Sequence, residues 1–435
     1  MGAMLDRRGF IRGAAGAFAG FAGCTALCWA EACARPEVGQ PWRGWKPGEF
    51  QVHFIHTGLG EQQFLIFPDG TSMLIDCGDF SWGGRSAVPF LPSRKRHPGE
   101  WTARYLRRVN PRGDQVDYML LSHFHKDHSG CYESHGGMTK GRDPDYALSG
   151  LAQVAEYIHF RTAIDRGWPD YNDPVEIPGG GDGGSLKLMR ALYAHLQKRD
   201  GLKVEKFRLG ATDQIVPRTK SPGFTAFNFA CNGRICSPMT HETRDLAADV
   251  VRTHPTALDE NAMSLGTLFT YGKFRYYTAG DLAFTWKRPT DGRVFCFEEE
   301  LAKILPQVNV AKLNHHGHHS MPRALAAALD AQCYVSSIWH QMHCTDDTMA
   351  NLEQVGRAHM YFPGYVPNLA RTRDGTGKYP WTAKAAQPTW EGAHNVLTVS
   401  PGGDSYTMTC LTARDESMTV RAVFDFACNG KDKTS

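Results

Sequence analysis

Short apolar runs closed by turn residues recur along the chain and predict a strand-rich frame. Phe64-Leu65-Ile66-Phe67 and Met73-Leu74-Ile75 flank Pro68-Asp69-Gly70, and two apolar runs across an Asp-Gly turn predict a β-hairpin. The run Val116-Asp117-Tyr118-Met119-Leu120-Leu121 has the length and apolar content of a buried strand. Another strand pair is expected around Tyr271-Gly272, opened by Glu260-Asn261-Ala262-Met263-Ser264-Leu265 and ending at Thr278-Ala279-Gly280-Asp281. Strands are also expected over 308–313 and 333–338. Three more, over 395–399, 406–412 and 419–426, would add to the second sheet.

Two stretches carry an apolar stripe at helical spacing instead. Trp101, Tyr105 and Val109 recur every four residues, as do Leu188, Leu192 and Leu196, so helices over 99–109 and 186–198 should each lay one face on a sheet. Ser320 can cap a further helix with Pro322 in its first turn and residues 324–329 continuing it. The interval 136–259 is poor in motifs and reads as a variable insertion. Its glycine run at 178–184 lacks a following Gly-Lys-Ser/Thr, so it reads as a loop rather than a phosphate cradle. Residues 361–391, rich in proline, glycine and aromatics, predict a long loop at the mouth of a site.

Composition changes this picture little. A hydrophobic content of 42% with 21% charged residues is that of a globular chain, and a formal charge of +3 is too small to argue for a polyanionic partner such as nucleic acid. The first residues are different: Arg7-Arg8 precede a weakly apolar Ala/Gly-rich stretch and then Ala32-Cys33-Ala34. This pattern reads as a twin-arginine export signal over 1–34, leaving one domain over 35–435 that is periplasmic or secreted. Phe21-Ala22-Gly23-Cys24 also resembles a lipoprotein box, which makes Cys24 an alternative lipid anchor. An odd number of cysteines remains after cleavage behind Ala34, so they cannot all pair internally. Cys231 and Cys236 could close a small loop, and Cys77 reads as a buried thiol.

The candidate chemistry is concentrated in Ser122-His123-Phe124-His125-Lys126-Asp127-His128-Ser129-Gly130. His123 and His125 point the same way along a strand end, and Asp127 and His128 follow on the turn, where they can face a second ion. Imidazole nitrogen with carboxylate oxygen suits zinc best, with manganese or iron as alternatives. Downstream lie Gly280-Asp281 and the tract Asn314-His315-His316-Gly317-His318-His319. Trp339-His340-Gln341-Met342-His343 follows a predicted strand, where His340 or His343 could contact substrate.

These motifs resemble the metallo-β-lactamase-fold hydrolases over most of residues 50–435. The most similar subgroup contains the hydrolase domain of competence DNA-uptake channel proteins and the choline-phosphate esterases of cell-wall teichoic acid. Its marks are a glycine-punctuated first hairpin, here from His53 to Gly78, an Asn-x-x-Ser strand at Asn261 and Ser264, Gly280-Asp281, and His-His-Gly at 315–317. The resemblance implies an α/β fold, a four-layer αββα sandwich, and a centre of two zinc ions. In it His123 and His125 bind the first metal, Asp127 and His128 the second, and Asp281 bridges them. His316, or alternatively His315, completes the second site, and Asp76 supports the metal loop.

A third histidine for the first metal is expected between the main motif and Asp281, where His135, His159, His195, His241 and His254 lie. His241 and His254 are nearest the following strand and are the candidates. Having His125 where the oxygen-reducing di-iron branch has glutamate argues against that branch. The activity implied is hydrolysis by a metal-bridged hydroxide, with Asp127 and Asp281 as the catalytic carboxylates. The leading substrate is a small-molecule or cell-envelope phosphodiester or related phosphate ester. Alternatives are carboxylic ester, lactone or β-lactam hydrolysis, and a metal-binding protein without turnover.

Overall fold

The strands in chain order are β1 (Phe50–Phe54), β2 (Gln63–Ile66), β3 (Ser72–Ile75), β4 (Gln115–Leu120), β5 (His159–Asp165) and β6 (Lys203–Lys206), followed by β7 (Phe224–Cys231), β8 (Arg234–Cys236), β9 (Thr243–Asp245), β10 (Gly266–Tyr271) and β11 (Phe274–Thr278). After a small hairpin of β12 (Thr285–Lys287) and β13 (Val294–Cys296) come β14 (Val310–Lys312), β15 (Cys333–Ser336), β16 (Met360–Pro363), β17 (Ala393–Val399), β18 (Ser405–Thr412) and β19 (Val420–Ala427). The computed structural model describes residues 35–79, 88–130, 148–176, 181–355, 360–366 and 391–428. The export signal with Cys24, His135 and most of the expected 361–391 loop lie outside the described residues.

Two large sheets form an α/β sandwich. One runs β19-β18-β17-β1-β2-β3-β4-β5-β6 and the other β16-β15-β14-β11-β10-β7-β8-β9. The expected first hairpin forms as β2 and β3, with Phe64 opposite Leu74. Its turn is closed by Gly70 N–H to the Phe67 carbonyl at 2.9 Å. Gly70 sits at φ +81°, a conformation that disfavours any residue with a Cβ.

Each sheet has an antiparallel part and a parallel part. Strands β3 to β6 are parallel neighbours in the first sheet, and β11, β14, β15 and β16 are parallel in the second. Parallel strands present their carboxyl ends along one edge, which is where α/β sheets place ligand sites.

The helices are α1 (Pro98–Val109), α2 (Lys126–Ser129), α3 (Gly150–Ala155), α4 (Gly181–Asp200), α5 (Ala248–Thr253), α6 (Phe297–Leu301), α7 (Arg323–Leu329) and α8 (Asp346–Glu353). Leu106 of α1, Leu151 of α3 and Leu188, Leu192 and Leu196 of α4 pack with Phe64, Leu74 and Met119 on the first sheet. Val250 of α5, Leu301 of α6, Leu325 of α7 and Leu352 of α8 pack with Phe229, Tyr277 and Ala311 on the second. A third cluster, including Phe50, Leu65, Phe269 and Val310, fills the space between the sheets.

Several expectations change. The tail strands β17 to β19 join the first sheet, because β17 pairs antiparallel with β1, His53 facing Val396. The interval 136–259, expected as a variable insertion, supplies β5 and β6 to one sheet and β7, β8 and β9 to the other. Cys231 and Cys236 are free thiols, and they pack in different clusters, Cys231 between the sheets and Cys236 on the outer face. Ser320 does not cap α7, whose N-cap position is Pro322; its hydroxyl donates instead to the Asn314 carbonyl at 2.7 Å. Gly181 to Gly184 form the start of α4 rather than a loop.

Leu192 is fully buried in the middle of the α4 stripe. Leu192→Ala should lower unfolding free energy by about 2–5 kcal/mol in urea titrations. Unchanged stability would show that α4 does not anchor the first sheet.

Candidate metal centre

The site is built where strands end. β3 runs into Asp76, β4 into the histidine motif, β11 into Asp281 and β14 into His316. After β4 the chain turns so that His125 precedes α2, and the His128 and Ser129 amides donate to the His125 carbonyl at 3.1 and 3.0 Å. Asp127 and His128 thus sit in a one-turn helix directly after the bend that carries His123 and the extended His125. Two close approaches lock this turn in place. A Cβ on Gly60 would lie 2.4 Å from the Asp127 carbonyl oxygen, and one on Gly78 only 1.8 Å from it. The hairpin backbone is tied there as well, by Glu61 N–H to the Asp127 carbonyl and Cys77 N–H to the His128 carbonyl, both 2.8 Å.

Four atoms converge: Nε2 of His128, Nε2 of His316, Oδ2 of Asp127 and Oδ2 of Asp281. His128 Nε2 lies 3.3 Å from His316 Nε2, 3.6 Å from Asp127 and 3.1 Å from Asp281. His316 Nε2 lies 3.0 Å from Asp127 and 3.2 Å from Asp281. A tetrahedron of ligands at zinc–nitrogen and zinc–oxygen bond lengths has edges of about 3.3 Å. The residues present therefore fit a small divalent ion, with two imidazoles and two carboxylates as the donor set. Beside them, His123 Nε2 and His125 Nδ1 face one another at 3.0 Å, and the His123 ring centroid is 4.2 Å from that of His128.

The electrostatics favour positive charge at this point. Burial alone would lower the pKa of His128, but Asp281, Asp127 and Asp76 together hold it well above the ordinary histidine range. His316 is likewise pushed up to about 9, Asp281 and Asp127 outweighing its burial. Burial would raise Asp281, yet His128 and His316 hold it well below the usual carboxylate range. His123 behaves oppositely: burial, then His128 and His125, depress it well below its ordinary value.

Buried partners orient the donors. Asp76 accepts hydrogen bonds from the Ser122 amide and hydroxyl, both 2.7 Å, and lies 2.8 Å from His128 Nδ1. That contact fixes one His128 proton on Nδ1, so the proton a bound ion would displace is the one on Nε2. Glu260 accepts from the Phe124 amide at 3.1 Å and is ion-paired with the buried Arg166, whose Nε is 3.0 Å away. It thereby fixes the backbone between His123 and His125.

Lys312 is fully buried, with Nζ 2.8 Å from Glu61 Oε2, 3.5 Å from Asp281 Oδ1 and donating to the Gly280 carbonyl at 2.6 Å. Burial works against its charge, but Glu61 and Asp281 raise its pKa. Glu61 Oε2 is also 3.4 Å from His316 Nδ1. Glu61, His128, Asp281 and His316 each bring a ligand atom within 4.8 Å of the others. Glu61 thus belongs to the buried group that could hold an ion, on the Nδ1 side of His316, while Asp127 Oδ2 lies on the Nε2 side.

The loop presenting His316 is conformationally costly. His315, His316, His319 and Met321 all have φ between 46° and 56°, and a non-glycine residue held there costs roughly 1–3 kcal/mol. Hydrogen bonds offset this: Ser336 hydroxyl to the His316 carbonyl at 2.6 Å, Thr345 N–H to the Gly317 carbonyl at 2.9 Å, and Ser320 N–H to Thr348 Oγ1 at 3.0 Å.

Of the residues expected from the sequence, His123, His125, Asp127, His128, Asp281 and His316 come together, with Asp76 behind them. His315 is half-buried beside the cluster, close enough for Asp281, His316 and Asp127 to act on it, with its ring against that of His318, centroids 5.2 Å apart. His241 and His254 are exposed, edge-on to Phe227 at 5.5 Å and beside Trp286 at 6.2 Å respectively. Neither reaches the cluster, because β9 and α5 lie at the far margin of the second sheet. His159 is on the surface with Asp200, 3.1 Å away. His343 is buried and stacked on His316, centroids 5.0 Å apart and planes 12° apart, and His340 stands 5.6 Å beyond it. Sequence reasoning did not single out Glu61, Lys312 or Glu260 as part of the site. The signal was faint: Glu61 between Gly60 and β2, and a lysine inside the apolar β14 run.

With His128 and His316 holding protons, uptake of a divalent ion should release protons and tighten as pH rises. Calorimetric titration with zinc in buffers of different ionisation enthalpy checks this. A binding heat that does not depend on the buffer would contradict the protonated cluster. Compared with family models and with curated proteins, the sequence matches none.

Proposed function

We propose that this chain is a metal-dependent hydrolase of the metallo-β-lactamase type, acting on a phosphodiester or related phosphate ester. The observation that carries the reading is the buried convergence of His128, His316 and Asp281 with Asp127 and Glu61 beside them. The supporting frame is a four-layer αββα arrangement with the cluster at the carboxyl ends of parallel strands from both sheets. His123 and His125, facing each other next to His128, are the residues that would hold a second ion. Zinc bound in this cluster supplies Lewis acidity, which makes water nucleophilic near neutral pH and stabilises charge on a leaving oxygen.

The chain's own residues prepare that chemistry. Asp76 holds a proton on His128 Nδ1, so that the proton a bound ion would displace is the one on Nε2. Lys312 takes up one oxygen of Asp281, leaving Oδ2 toward the imidazoles. The half-buried His125, Lys126, His315 and His318 lie around the cluster and supply polar groups where substrate would enter. Both sheets contribute donors, so the site exists only in the folded chain. Export of an already folded protein, as the twin arginines of 1–34 suggest, suits such a centre.

Purified protein reconstituted with zinc or manganese should hydrolyse bis-p-nitrophenyl phosphate. A chelator or His316→Ala should remove at least about 100-fold of that activity, the scale expected when a centre supplying several kcal/mol is lost. Activity confined to a chromogenic β-lactam or a simple lactone would overturn the phosphodiester reading. Stoichiometric zinc with no hydrolysis of any of the three would favour a metal-binding protein without turnover.

A further inference from the structure

Glu298 is a buried carboxyl group that the proposed chemistry does not use. It lies in the first turn of α6, whose Phe297 and Leu301 are packed into the outer core of the second sheet. One oxygen, Oε1, accepts two hydrogen bonds: from Asn314 Nδ2 at 2.8 Å and from the Met321 backbone N–H at 2.9 Å. Asn314 and Met321 are the two ends of the strained loop that carries His316. Asn314 is held further by donating to the Leu282 carbonyl at 3.0 Å and by accepting from the Tyr277 hydroxyl at 3.1 Å. A single oxygen atom on a different element therefore closes the loop at its base.

We propose that Glu298 is the positioning residue of the His316 loop, its one oxygen tying Asn314 to Met321 and so holding His316 Nε2 toward Asp127 and Asp281. The role rests on the metal-centre reading. The tie explains how four non-glycine residues, His315, His316, His319 and Met321, persist at positive φ in one short loop. Burial pushes the Glu298 carboxyl up to about 8, so near neutral pH it is largely the neutral acid. Glutamine has the same shape and the same carbonyl acceptor, and leucine has neither acceptor nor charge.

The test compares Glu298→Gln and Glu298→Leu in the full chain by two readouts. One is cobalt(II) affinity with its visible absorption spectrum; the other is amide hydrogen exchange of the 314–321 segment against that of β7 and β10. The glutamine variant should match the parent in both. The leucine variant should bind cobalt(II) about 10–100-fold more weakly, the range for loss of a residue that orients a metal ligand. Its loop amides should exchange faster while β7 and β10 stay protected. A leucine variant that binds cobalt(II) like a cobalt-binding parent would overturn the tie. A parent that binds no cobalt(II) would overturn the metal-centre reading itself. If Glu298→Leu loses protection throughout, Asn314→Ala, which removes one arm only, is judged by the same criteria; unchanged affinity and loop exchange in it would also overturn the tie.

Discussion

Four carboxylates, Asp76, Asp127, Asp281 and Glu61, are buried within one small volume, and the need to compensate them organises everything around them. Unpaired buried charge is prohibitively costly, so each must find protons, donors or cations. Asp76 finds a backbone amide, a hydroxyl and an imidazole. Glu61 and the outer oxygen of Asp281 find Lys312. What is left, the inner oxygens of Asp127 and Asp281, faces His128 and His316. A cation-seeking point is the remainder after all other compensation, and the raised histidine pKa values express the same demand in protons.

The compensation also explains which parts of the fold tolerate no alteration. Gly60 and Gly78 are pressed against the Asp127 carbonyl, so the obstacle to any side chain there is backbone, which cannot rotate aside. Lys312 reaches the interior because β14 alternates its residues: Val310 and Lys312 face between the sheets, while Ala311 faces the outer helices. A lysine is admitted to that apolar space only because Glu61 meets it there.

Much of this was legible in the sequence where the information is local. The hairpin before Asp76, the helix stripes of α1 and α4, and the compact His123–His128 motif all follow from spacing over a few residues. What was not legible depended on pairing between distant segments. The strand propensity of residues 393–427 is evident, but nothing in it says that β17 lies beside β1 rather than at the edge of the other sheet. The low motif density of 136–259 likewise hid five strands shared between two sheets. Glu61 acquires meaning only once β14 crosses beneath it, and Ser320 favours the Asn314 carbonyl over a helix cap because the loop ends must be closed. His241 and His254 were nearest in chain order, yet chain proximity to a strand says little about which end of it a side chain reaches.

The division of the cluster, Asp127 and His128 from one sheet and Asp281 and His316 from the other, has a mechanical consequence. Sliding one layer past its neighbour by a single residue would displace half of the quartet by roughly 3.3 Å, many times the tolerance of about 0.2 Å on a coordination bond. An occupant shared equally across that seam would act as a rivet: its retention gauges interlayer alignment, and shear anywhere along the sandwich would be felt first as its escape.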